Sequence, residues 1–202
     1  MVARIERVVT SGTFSLDGGT WDVDNNVWLI GDYREVLIVD AAHDATAILE
    51  KVGERRVVAV VCTHGHNDHI NAAVEIAAAK DARIALHPAD TMLWQEEYDD
   101  LRPDVDLTDG MGFDVAGTGV AVLHTPGHSP GGVSLYAPDL GVVFSGDTLF
   151  HGGPGATGRS FSDEDQIKES IRAKLFALPD ETVVHTGHGD DTTIGAEKES
   201  LG

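Results

Sequence analysis

The fold is decided by Thr63-His64-Gly65-His66-Asn67-Asp68-His69, which directly follows Val57-Val58-Ala59-Val60-Val61-Cys62. The preceding run is continuous and rich in β-branched residues, the pattern of a strand buried on both faces. The loop at its end gathers three histidines and an aspartate within six residues. A His-x-His pair at a strand end can aim both rings at one point. Asp68 and His69, next along the loop, can reach a second point a few ångströms away. Imidazole and carboxylate are suitable ligands for zinc and related transition metals. A polar loop with incidental histidines is the competing explanation, and it does not account for ligand spacing at the end of a buried strand.

Three later segments share this layout. Residues 119–124 run into Thr125-Pro126-Gly127-His128, residues 142–145 into Gly146-Asp147-Thr148, and residues 182–185 into Thr186-Gly187-His188. Each time an apolar strand ends in a glycine-containing turn that presents one His or Asp. Open α/β sheets collect their sites at strand ends in this way. Taken singly, His128 or His188 reads equally well as an ordinary turn histidine. Four such strand ends together are hard to explain without a shared metal site.

The remaining sequence alternates strands with helices. Residues 5–9, 27–30 and 36–39 read as short strands, as do 133–136 and 142–144. Residues 44–52 form a helix pattern stopped by Gly53, and 71–80 an Ala-rich helix capped by Asn71. Residues 88–97 suggest another helix. Ser162 is placed to cap a helix whose first turn holds Asp163, Glu164 and Asp165, with Ile167, Ile171 and Leu175 on one face. The expectation is a layered α/β chain forming one domain over residues 1–202.

Composition narrows the function classes. The formal net charge is −20, from 14 basic and 34 acidic residues. This disfavours nucleic acid and anionic membrane surfaces as partners, since both call for a basic patch. The longest apolar runs are far shorter than a membrane span of about 18 residues. Charges in Met1-Val2-Ala3-Arg4-Ile5-Glu6-Arg7 occupy the place where a signal peptide is apolar, so a cytoplasmic location is expected. Cys62 is the single cysteine, which excludes an internal disulfide and reads as a packed thiol within its strand. Oligomeric state is not encoded in any of these features.

The motifs 63–69, Pro126-Gly127-His128, Ser145-Gly146-Asp147 and Gly187-His188 resemble, in this order, those of the metallo-β-lactamase superfamily. Val39-Asp40 is similar to the superfamily's first motif, whose Asp braces the ligand loop. The resemblance runs from about Val27 to Asp190 and implies a four-layer αβ/βα sandwich with the site at one sheet edge. It further implies that His64, His66 and His128 hold one metal, that Asp68, His69 and His188 hold a second, and that Asp147 bridges them. Two divalent ions are implied, zinc foremost, with iron or manganese as alternatives. His43, His87, His124, His151 and His185 fall outside the ligand positions, with His151 the one candidate for an outer supporting role.

Within the superfamily, the chain most resembles glyoxalase II-like thioester hydrolases, especially short single-domain bacterial members. The resemblance implies cleavage of a small (2-hydroxy)acyl thioester by a hydroxide held between the metals, with Asp68 orienting it. Arg159, the one basic residue of the loop after Asp147, is the candidate contact to an anionic substrate; an ion pair with residues 163–165 is the structural alternative. Long glyoxalase II enzymes grip glutathione with a C-terminal helical domain. This chain ends shortly after His188, which leaves the thiol carrier open between glutathione, mycothiol and others. Two rivals stand beside this reading. One is a persulfide dioxygenase, which in that family uses a single iron at positions matching His64, His128 and Asp147. The other is a metal-binding paralogue without turnover.

Overall fold

The computed structural model describes residues 3–201. Met1, Val2 and Gly202, which belong to the expected 1–202 domain and in part to the charged N-terminal segment, lie outside the described residues. The chain opens with a long antiparallel hairpin, β1 (Arg4–Leu16) and β2 (Gly19–Gly31), paired without a break from Arg4↔Gly31 to Leu16↔Gly19. Its two-residue turn is Asp17-Gly18, with φ of 53° and 75°. Two left-handed residues give the turn whose twist matches a hairpin, and Asp-Gly is a strong sequence signal for it. The expected strands at 5–9 and 27–30 are therefore only the base of the hairpin. The outer half was missed because Ser, Thr and Asp stand where a core-facing strand would be apolar.

Strands β3 (Glu35–Val39), β4 (Arg56–Val61), β5 (Ile84–Leu86) and β6 (Val105–Asp106) continue the first sheet in order β1-β2-β3-β4-β5-β6. Those from β3 to β6 run parallel, joined by helical crossovers. The second sheet is built from β7 (Gly112–Val115), β8 (Thr118–His124), β9 (Val133–Ala137) and β10 (Val142–Gly146). After a small ribbon of β11 (Leu149–Phe150) and β12 (Gly153–Pro154), β13 (Val183–Thr186) and β14 (Thr192–Thr193) complete it in order β14-β13-β10-β9-β8-β7.

Three apolar clusters show why these strands stack in layers. Leu37, Val39, Ala59, Val61, Leu135 and Phe144 fill the space between the sheets. The alternate residues Val36, Ile38, Val57 and Val60 face α1 (Ala45–Val52) and α3 (Ala73–Lys80), meeting Ile48 and Ile76. On the far side, Val143 and Val184 meet Ile167, Ile171 and Leu175. The β4 run is thus apolar throughout because both of its faces are buried. The result is the expected four-layer αβ/βα sandwich. Cys62 is fully buried, and burial pushes its thiol pKa well up, so it packs as a hydrophobe. Among the described residues, no helix is long and apolar enough to cross a membrane.

Helix starts differ from expectation in two places. Asp44 caps α1, accepting from Ala47 N at 2.9 Å. The Asn71 side chain, however, accepts from His43 N at 2.6 Å rather than capping; a short α2 (Asn67–Ile70) precedes it, and α3 starts only at Ala73. Before α5 (Glu164–Ser170), the cap is Asp163, which accepts from Gln166 N, and not Ser162. Ser162 Oγ instead accepts from Gly158 N and Arg159 N, closing the preceding loop. The 88–97 segment resolves into a 3-10 turn, Pro88–Asp90, followed by α4 (Thr91–Tyr98). Helix α5 ends in a π-helical turn, Ile171–Leu175, and α6 (Ile194–Leu201) closes the described chain.

Candidate metal centre

The loops after β4, β8, β10 and β13 converge at one edge of the sandwich. They bring together all seven residues singled out from the motifs. Ligand-type atoms of His64, His66 and His128 lie within 4.8 Å of one another, as do those of Asp68, His69 and His188. Asp147 stands between the two groups. Its Oδ2 is 3.6 Å from His128 Nε2 and 3.4 Å from His188 Nε2, while Oδ1 is 3.4 Å from His69 Nε2.

Outer partners set which nitrogen of each ring faces inward. Asp40, at the end of β3 with φ of 57°, accepts from Thr63 N at 2.7 Å and Thr63 Oγ1 at 2.8 Å. Asp tolerates this left-handed conformation, which persists here because the carboxylate is held from several sides. Having donated to Asp40, Thr63 Oγ1 is left to accept from His64 Nδ1 at 3.1 Å. His69 Nδ1 donates to Asp40 Oδ2, His128 Nδ1 to the Ala156 carbonyl and His188 Nδ1 to the Asp24 carbonyl, at 2.8–2.9 Å. Each of these four rings therefore turns its Nε2 inward.

The inward-facing nitrogens crowd one another. His128 Nε2 is 3.1 Å from His66 Nδ1, and His69 Nε2 is 3.2 Å from His188 Nε2. Asp68 Oδ2 lies 3.3 Å from His188 Nε2 as well. His64 Nε2, His66 Nε2, Asp68 Oδ1 and Asp147 Oδ1 are buried without a hydrogen-bond partner. Buried acceptors aimed at each other are strongly unfavourable unless a cation lies among them. This donor set fits metal ions.

Proton affinities divide the centre into two halves. Burial pushes His66 down to about 3, helped by neighbouring His128, and pushes His64 well below its usual value. Burial opposes charge on His188 too, but the carboxylates of Asp147 and Asp68 outweigh it and raise that ring to about 10. His69 is raised in the same way, and Asp147 is held well below the usual carboxylate range by His69 and His188 against its own burial. The carboxylate-rich half thus recruits protons when nothing else supplies positive charge.

The sequence reading missed three supporting residues. Asn25 Nδ2 donates to Asp68 Oδ2 at 3.1 Å, and its Oδ1 pairs with His43 Nε2 at 2.8 Å. Asp90 is fully buried and accepts from Gly65 N, Ser129 Oγ and Gly131 N, tying the His64–His66 turn to the His128 turn. Asn26 holds the His188 loop through the Thr186 and Gly189 carbonyls. His43 therefore takes the outer role considered for His151, which is exposed in the turn after β11. Asn25 and Asn26 sit in the missed half of the hairpin; its one local signal was Asp17-Gly18.

Above the centre opens a cavity of about 170 Å³. Phe14, Leu16 and Val23 from the hairpin form one wall, and Ala156 and Arg159 form another. The Arg159 guanidinium lies over the Trp21 ring at 3.8 Å and over Phe14 at 5.2 Å, so it is stacked on the hairpin.

The chain matches the metallo-β-lactamase superfamily over residues 20–188. The chain belongs to this superfamily. Among its relatives is the hydroxyacylglutathione hydrolase GloC of Haemophilus influenzae, 30% identical over 184 residues covering 84% of this chain and 87% of the relative. The crystal structure of TTHA1623 in a di-iron-bound form superposes with a TM-score of 0.79 at 31% identity, covering 88% of this chain and 94% of that one. ETHE1 from Myxococcus xanthus superposes with a TM-score of 0.76 at 27% identity, covering 96% and 82%. By family, then, this superfamily member is a metal-dependent hydrolase.

Proposed function

We propose that this hydrolase cleaves a small 2-hydroxyacyl or similar acyl thioester at a two-metal centre. The observation that carries the reading is the complete set of convergent ligand atoms, three side chains on each side of Asp147 and seven with Asp147 itself. His64, His66 and His128 would hold one ion, Asp68, His69 and His188 the other, and Asp147 both. Imidazole with carboxylate suits zinc, and also iron or manganese. Bound divalent ions supply a Lewis acid for the carbonyl and a water with its pKa lowered to about 7.

The chain's own residues account for the remaining steps. Asp68 Oδ2 is held by Asn25, while Oδ1 is buried and unpartnered, which leaves it to accept a proton from the attacking water. The acyl carbon–sulfur bond breaks as water's oxygen bonds to that carbon. A thiolate, with a thiol pKa of about 8.5, departs without a dedicated acid. Arg159 is the group that would meet a carboxylate on the substrate, since stacking on Trp21 leaves the edge donors of its guanidinium available. The kinship with a hydroxyacylglutathione hydrolase supports this substrate class.

Oxidation of a persulfide at a single iron is the second reading; a structural relative at 31% identity was crystallised in a di-iron-bound form, so this fold accommodates iron. Metal-replete protein given a lactoyl thioester is expected to release thiol at rates typical of enzymes, about 1–1000 per second. Oxygen uptake with a persulfide, by an iron-loaded form that releases no thiol from any thioester, would overturn the assignment.

A further inference from the structure

Asn67 stands between two of the proposed ligands, yet its side chain turns away from the centre. It reaches β1, the edge strand of the first sheet. Asn67 Nδ2 donates to the Thr13 carbonyl at 2.9 Å, and Ser15 N–H donates to Asn67 Oδ1 at 2.9 Å. These are the two outward-facing backbone groups that flank Phe14, the pair a further strand would use. One amide side chain thus takes the place of a neighbouring strand at this point.

Phe14 is the residue so fixed. Its ring meets His66 edge-on at 5.1 Å and stacks on its cross-strand partner Trp21 at 5.7 Å. Arg159 lies over both aromatic rings. The loop of Arg159 has a second anchor on the same hairpin, where Ser160 N donates to Asp17 Oδ2 at 3.0 Å. A continuous path therefore leads from the loop of His66 and Asp68, through Asn67, to the wall that carries the cationic group.

We propose that Asn67 is a positioning residue for the substrate pocket. It locks the hairpin wall to the metal-binding loop and so sets where Arg159 stands relative to the reacting carbonyl. Blunting an exposed strand edge is a role such an amide also fills, but that role predicts no link to Arg159. The proposal rests on the thioesterase reading only for its kinetic test; its structural test stands apart from it.

The structural test is nuclear magnetic resonance of the Asn67→Ala and Asn67→Asp variants. Alanine removes both bonds, and aspartate sets a carboxylate oxygen against the Thr13 carbonyl. Ser15 N–H should exchange faster in Asn67→Ala, and the Arg159 side-chain resonances should lose the ring-current shift that Trp21 imposes in the wild type. In Asn67→Asp the Ser15 bond can persist, yet the Arg159 shift should still diminish. Unchanged Arg159 resonances in both variants would overturn the proposal, whatever reaction the protein performs.

The kinetic test uses S-lactoylglutathione as probe. Asn67→Ala is expected to raise KM about tenfold with kcat within about twofold and metal content unchanged. Arg159→Ala should likewise raise KM more than it lowers kcat. Adding Asn67→Ala to Arg159→Ala should then change KM by no more than about twofold, because both act through one wall. Multiplying effects, or a parallel loss of metal and kcat, would contradict the positioning role. Failure of the wild type to cleave any thioester, with the Arg159 shift lost in the variants, would sink the thioesterase reading and leave the role of Asn67 standing.

Discussion

Asp147→Ala is expected to lower kcat/KM for the thioester at least about a thousandfold, or roughly 4 kcal/mol of transition-state stabilisation. The reason is its place. Its oxygens approach His128 of one group and both His69 and His188 of the other, so this carboxylate is shared by the two groups. Removing it would take a negative charge from both proposed ion positions and the link between them. The same change withdraws one of the charges that raise His69 and His188, so the proton affinity of both rings falls in metal-free protein, with Asp68 still beside them. At least one ion per chain should be lost, while circular dichroism remains that of the folded chain, since the inter-sheet core lies elsewhere. An active variant with its full metal content would show that Asp147 is not shared.

Gly187→Ala is expected to reduce metal affinity about 10–100-fold, and activity with it, without removing any ligand. A Cβ at this position would stand 2.3 Å from Asp147 Oδ1 and 2.8 Å from His69 Cε1. The backbone has little room to retreat. Gly187 N donates to the Gly146 carbonyl at 3.0 Å, and the Gly187 carbonyl accepts from Asn26 N at 2.8 Å. Crowding must therefore be relieved by Asp147 or His69, the residues whose placement matters most. Overpacking of this kind also costs about 1–3 kcal/mol of stability. Metal titration and thermal unfolding of the variant read both effects, and wild-type behaviour in both would mean that the loop shifts freely.

The layers and the candidate centre were legible for different reasons. Apolar strands betray themselves when both faces are buried, as in β4 and β10, and their ends locate the loops that carry His64 and Asp147. The contiguous 63–69 segment put four chemically matched side chains in one place, so little had to be inferred about tertiary structure. What stayed hidden depends on contacts between distant residues. Asn25 acts on Asp68 across 43 positions, and Asp90 joins turns at Gly65 and Gly131. Nothing local marks either one. The outer hairpin was hidden differently, because its strands are half-exposed and polar and serve the pocket rather than the core. Asn71 and Ser162 resembled caps, but Asn71 found a partner 28 residues away and Ser162 closed the loop before it instead.

The proposed centre holds two ions per chain, one on either side of Asp147. Elemental analysis of protein purified without chelator, combined with anomalous scattering at the metal edge from its crystals, measures this directly. Close to two ions per chain are expected, one among His64, His66 and His128 and one among Asp68, His69 and His188. A single fully occupied ion held by His64, His128 and Asp147, with His69 and His188 remote from any metal, would contradict it.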